Sequence, residues 1–171
     1  MRLGPRSALA ASICLLAISG ISWSHDIPGA VWKQRDIPSE RLAIEQVLST
    51  YTQSLSDGDE AAFASILLND EIPFTSTAEL HLSKAARAHV QTSRYSSFER
   101  AVFASGRHFK QRFYNVHIEQ DGDLAQVSLD FVTQDTGSHE EAYGWKALTL
   151  LKVAGHWKIA SELYTVYPLP G

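Results

Sequence analysis

The chain has 171 residues, with 15 lysines and arginines against 19 aspartates and glutamates and a formal charge of −4. With no basic run in it, that balance excludes a surface built for nucleic-acid phosphates and argues against an anionic membrane surface. The single cysteine excludes an intrachain disulfide and a multi-thiolate metal site.

The first two dozen residues have the pattern of a cleavable export signal. Arg2 and Arg6 form a basic start, Ala8 to Ile18 is an almost unbroken apolar run, and Ser22-Trp23-Ser24 places small residues where a signal peptidase reads. The apolar run is too short to span a bilayer comfortably, so no stable membrane insertion is expected after cleavage. Ile13 precedes Cys14 where a lipid-attachment site needs glycine or alanine, so Cys14 leaves with the signal. Removing residues 1–24 from the 171 leaves 147, and losing Arg2 and Arg6 takes the formal charge from −4 to −6. A chain of that length suits one domain with its own core. Its destination is the periplasm or the medium. Its amino terminus would be His25, which could chelate copper through amine and imidazole, although no partner histidine is identifiable.

Residues 25–38, with their prolines and glycine, read as an extended lead-in. Ser39 is placed to cap a helix, and Ile44, Val47, Leu48, Tyr51 and Leu55 then share one helical face. Gly58 stops that helix and Asp59 caps a second, carrying Phe63, Ile66 and Leu67. Pro73 to Ser76 reads as a short extended passage, and 83–105 as one or two further helices ending at Gly106.

From Phe109 the period becomes two. Tyr114, Val116 and Ile118 share a phase before an Asp121-Gly122 turn, and Ala125, Val127, Leu129 and Phe131 share the next. In the third long strand, Tyr143, Trp145, Ala147, Thr149, Leu151 and Val153 are taken as the inward phase, with Leu148 and Leu150 outward. The last strand, after Ala154-Gly155, places Trp157, Ile159, Leu163 and Tyr167 together. Helices followed by strands imply an α+β fold, with N-terminal helices packed on a curved antiparallel sheet as a cone with an internal pocket. This domain is expected over residues 39–171.

In order and spacing the chain resembles the nuclear-transport-factor-2-like superfamily, in its SnoaL-like branch. The resemblance rests on the phrase from Tyr51 to Asp59, on Phe63 and Leu67 in a short second helix, and on the ending Gly155-His-Trp157-Lys-Ile159. The fold implied hosts isomerases, dehydratases, cyclases and pure binding modules, so it does not choose a function. By resemblance to steroid delta-isomerases, Tyr51 matches the oxyanion-donor tyrosine. The base and buried-acid positions fall on Thr75 and Thr149, however, and a hydroxyl is no useful base near neutral pH. Asp70 and Glu71 sit just upstream, in the turn. The two histidines of scytalone-dehydratase relatives have only His81 and His89 as counterparts.

No histidine pair has the i, i+4 spacing of a helical metal site, and no nucleophile triad, phosphate loop or nucleotide fingerprint occurs, so no metal or cofactor is implied. Two function classes remain. One is a pocket protein for a small, mostly apolar ligand, storing it or acting on it by cofactor-free polar catalysis of isomerase, dehydratase or cyclase type. Its ligand-binding candidates are Tyr51, Phe131, Thr133, Trp145, Thr149 and Ser161, with Tyr51 the one catalytic candidate. The other is a non-enzymatic interaction module with a closed cavity. A homodimer is expected through a strip around Leu148 and Leu150.

Overall fold

A computed structural model describes residues 35–77 and 93–169. The signal segment, His25, most of the lead-in, His81, His89 and the first part of the 83–105 helical region lie outside the described residues. The elements are α1 (Pro38–Asp57), α2 (Glu60–Ser65), β1 (Phe74–Ser76), α3 (Tyr95–Val102), β2 (Phe109–Asp121), β3 (Leu124–Asp135), β4 (Glu141–Val153), β5 (His156–Tyr164) and β6 (Tyr167–Pro168).

Helix α1 starts two residues earlier than a cap at Ser39 would have it, with Ile37 in the cap position. Pro38 occupies the first turn, where its missing N–H costs nothing, and the Ile37 N–H donates to the Gln120 side chain at 3.2 Å. Ile44, Val47, Leu48, Tyr51, Ser54 and Leu55 form its buried stripe. Gly58, at φ 68°, ends the helix in the left-handed conformation that glycine adopts without penalty. Asp59 caps α2 by accepting from the Ala62 N–H at 2.9 Å.

The sheet runs β1-β5-β4-β3-β2, with β6 pairing with β4 beyond the end of β5. It is mixed, since β1 joins β5 in parallel and the four long strands are antiparallel. Two register shifts bend it. On β2, Asn115 and Val116 lie between the Tyr114–Asp130 and His117–Ser128 pairs, and Asn115 takes a positive φ of 48°. On β5, Ala160 is the extra residue between Ile159, opposite Leu150, and Ser161, opposite Thr149. A bulge moves every following side chain to the other face. Phe113 therefore turns toward the core and Tyr114 toward solvent, while Glu162 and Tyr164 replace Leu163 on the inner side.

The phase expected for β4 is reversed. Phe131 pairs with Gly144, Leu129 with Lys146 and Val127 with Leu148, so the even-numbered residues of β4 share the core face with the odd-numbered residues of β3. Leu148 and Leu150 are 0% exposed and form the centre of the core. They cannot supply a dimer surface. Trp145 lies on the opposite face at 49% exposure. Gly144 is needed at its place because a Cβ there would stand 1.9 Å from the Thr165 carbonyl oxygen.

Glu40 fastens the start of α1 to the terminal hairpin. Its carboxylate accepts from Lys152 Nζ at 2.7 Å and from Trp157 Nε1 at 2.8 Å. These two hydrogen bonds, Lys152 first, hold its pKa below the ordinary carboxylate value. A depressed carboxyl stabilises the fold above its unfolded pKa, and that contribution is lost as pH falls through the folded value. Glu40→Gln is therefore expected to lower the denaturation midpoint near neutral pH and to lose less than the parent between pH 5 and 3, roughly the window in which carboxylates titrate. Thermal melts across that range check it.

Candidate functional site

Three fully buried polar side chains meet on the inner face of the sheet. Tyr51 comes from the middle of α1, Lys146 from β4 and Glu162 from β5 just past its bulge. Lys146 Nζ donates to Glu162 Oε1 at 2.5 Å and to Tyr51 Oη at 2.7 Å, and the Tyr51 hydroxyl donates to the same carboxylate oxygen at 3.2 Å. The ammonium also lies 4.8 Å from the ring centres of Tyr51 and Phe131 and 5.0 Å from that of Tyr164. Rings at this distance attract a cation through their negative faces.

Burial dominates the electrostatics. It lowers the Lys146 pKa, against the opposing field and hydrogen bond of Glu162. It raises that of Glu162, opposed by Lys146 and Tyr51. Burial and the adjacent carboxylate hold the Tyr51 hydroxyl far above its ordinary range. Both members of the ion pair are thus drawn toward proton transfer from lysine to glutamate. The second oxygen of Glu162, Oε2, has no hydrogen-bond partner. Such orphaned atoms are rare in folded proteins.

Lys146 also forms part of the wall of a cavity of about 210 Å³. Its apolar walls include Phe74, Phe98, Val102 and Phe131, and Gln111 and Thr133 add amide and hydroxyl groups. Gln111 Oε1 is buried and unpartnered. The aromatic cluster that shapes this space is tightly packed, with ring centres 4.5 Å apart for Phe74 and Phe98 and 6.1 Å for Phe131 and Tyr164. Beyond Phe109, Thr133 and Val166 lies a wider groove of about 800 Å³. At its rim Arg107 Nε donates to Asp135 at 2.6 Å.

Among solved structures the same arrangement of helices on a curved sheet recurs. A nuclear-transport-factor-2-like protein from Cytophaga hutchinsonii superposes with a TM-score of 0.60 at 13% identity, covering 75% of this chain and 98% of that one. Another, of unknown function, from Shewanella baltica gives 0.54 at 19%, with 77% and 97% covered. A protein from Kribbella flavida gives 0.62 at 12%, with 77% and 94% covered. The fold is nuclear-transport-factor-2-like. No protein-family model and no curated protein matches the sequence.

Within this nuclear-transport-factor-2-like domain the residues singled out from sequence separate into two groups. Tyr51, Phe131 and Thr133 are on the core side, the latter two lining the cavity and Tyr51 lying behind Lys146. Trp145, Thr149 and Ser161 are on the outer face, where Thr149 pairs with Ser161 and with Gln126. Their expected place in the pocket is corrected by the β4 register and the Ala160 bulge. Thr75 is buried in β1 and donates to the Ser93 carbonyl, whereas Asp70 and Glu71 are exposed and Glu71 pairs with Arg94. Among the described residues no group of three or more histidines, cysteines or carboxylates could hold a metal, and no helix is long and apolar enough to cross a membrane.

Lys146 and Glu162 are the residues that sequence reading missed. Assigning β4 by its more aromatic phase placed Lys146 outside. The signal that could have found it was the alternative phase, in which Lys146 interrupts the uncharged run Ala142, Gly144, Leu148 and Leu150 ahead of the terminal Lys152. Lys146→Met alone strands a buried carboxylate and is expected to cost about 3–5 kcal/mol. Lys146→Met with Glu162→Gln removes both charges and is expected to cost clearly less than that single change. Urea denaturation of the single and double variants measures the coupling.

Proposed function

We propose that the protein is a small-molecule pocket protein, holding a compact apolar ligand whose polar end meets Lys146. The observation that supports this most is the cavity of about 210 Å³ with a buried lysine in its wall. An apolar cavity of about 150 Å³ accepts benzene, so this one suits a single ring with a small substituent. Of the three N–H groups of Lys146, two are taken by Tyr51 and Glu162. The third has no acceptor among the described residues, leaving it for a carbonyl or hydroxyl oxygen of the ligand. Tyr51 is then the residue that positions the amine and not the one that touches the ligand. The proposal includes export, on the pattern of residues 1–24.

Burying about 150 Å² of apolar ligand surface at about 25 cal/mol per Å² supplies about 4 kcal/mol, or near-millimolar binding before any hydrogen bond. Saturable chemical-shift changes on titrating benzyl alcohol or acetophenone are therefore expected. Ala101→Trp should abolish them without loss of fold, because Ala101 lines the cavity from the exposed side of α3. Shifts that survive this substitution would place the ligand elsewhere.

A specific observation also favours the interaction reading. The outer face carries an exposed apolar stripe of Tyr114, Tyr143, Trp145, Leu163 and Tyr167, with the Tyr143 and Tyr167 rings 5.6 Å apart. Rows of the sheet align Tyr114 with Asp130 and Trp145, and Tyr143 with Tyr167. Several large exposed apolar side chains gathered on one face commonly mark an interface. We place the homodimer here, in place of Leu148 and Leu150. Sedimentation at micromolar concentration is expected to show a dimer, and Trp145→Glu a monomer with an unchanged fold.

A further inference from the structure

We propose that Lys146 binds its ligand covalently, condensing with a small aldehyde or ketone in the cavity to form an iminium. This rests on the pocket reading above and adds the chemical class of the ligand. It is carried by a geometry that a purely structural ion pair does not need. A buried pair gains most when each remaining donor and acceptor is satisfied by the protein. Here the third N–H of Lys146 has no acceptor among the described residues, and Glu162 Oε2 is unpartnered. Lys146 lines an apolar cavity, and Glu162 meets it from outside that lining.

Condensation requires a neutral amine, an acid to release the hydroxyl, and a site that excludes bulk water. Glu162 Oε1, 2.5 Å from Nζ, is placed to accept the ammonium proton. The freed lone pair attacks the carbonyl carbon, forming the C–N bond and pushing the C=O π electrons onto oxygen. A proton passes from nitrogen to that oxygen, with the Tyr51 hydroxyl, 2.7 Å from Nζ and 3.2 Å from Glu162, within reach as a relay. Glu162 then returns its proton to the carbinolamine hydroxyl, which leaves as water while nitrogen forms the C=N bond. The products are a lysine iminium, a glutamate carboxylate and one water. The site therefore keeps one positive and one negative charge before and after, and the iminium inherits the carboxylate contact and the ring faces of Phe131 and Tyr164. No oxidant or metal is required. The lowered pKa of Lys146 is in keeping with this step.

The full chain is incubated with benzaldehyde and sodium cyanoborohydride, then read by intact mass and peptide mapping. One reduced adduct per chain is expected, on Lys146, forming at least tenfold faster than on the exposed Lys110. Lys146→Arg keeps the cation and should lose that adduct. If Lys146→Arg does not fold, the map of the parent protein still decides. Modification confined to exposed lysines overturns the inference. Benzyl alcohol, with the same ring and no carbonyl, separates the two readings. If it binds, sensitive to Ala101→Trp, while Lys146 stays unmodified by benzaldehyde, the covalent step fails and the pocket stands. If neither compound binds, both fail.

Discussion

The structure turns on one buried contact, the 2.5 Å pair between Lys146 and Glu162 with the Tyr51 hydroxyl bridging them. Removing two charges from water is costly, and their mutual attraction repays it only when geometry and further hydrogen bonds are good. The three residues come from α1, β4 and β5, so satisfying the pair fixes how far the first helix stands from the sheet and at which point along it. The aromatic packing follows the same geometry. The Tyr51 ring centre lies 4.6 Å from that of Phe63 and 5.3 Å from that of Phe113, and Phe63 in turn packs on Phe74 and Phe98 of the cavity wall.

One inserted residue makes that contact possible. Without the extra residue at Ala160, strict alternation from Trp157 and Ile159 would put Leu163 inside and leave Glu162 in solvent. Lys146 would then be a buried charge without its partner. The irregularity at Asn115 does the equivalent for β2, turning Phe113 inward and Tyr114 outward. Both bulges also increase local twist, which gives the sheet the curvature that leaves space under the helices. Gly144 belongs to the same set, because the chain leaving β5 passes so close that no side chain fits.

The sheet therefore has two faces of different chemical character. The inner one presents a lysine in an apolar, aromatic-walled space large enough for a single ring, and the outer one presents aromatic side chains to solvent. A fold with many unrelated activities cannot itself select among them. A buried amine beside a carboxylate differs from the aspartate base and protonated acid implied by the isomerase resemblance, and the proposal of carbonyl recognition rests on that difference.

Helical periodicity alone determined α1 and its buried stripe, since residues three and four apart share a face whatever surrounds them. Gly58 and Asp59 likewise marked the break between α1 and α2, through left-handed geometry and a capping carboxylate. Alternation identified the long strands and the inward phase of β3. It could not choose the phase of β4, where both rows carry large apolar residues and only pairing with β3 distinguishes them. Nor could it locate the bulges, because an extra residue leaves no mark in a sequence read one strand at a time. Tyr51, Phe131 and Thr133 were legible because they lie on elements with regular spacing. Lys146 and Glu162 were not, because two charges that would each be unfavourable inside become acceptable only once the folded sheet brings them within hydrogen-bonding distance.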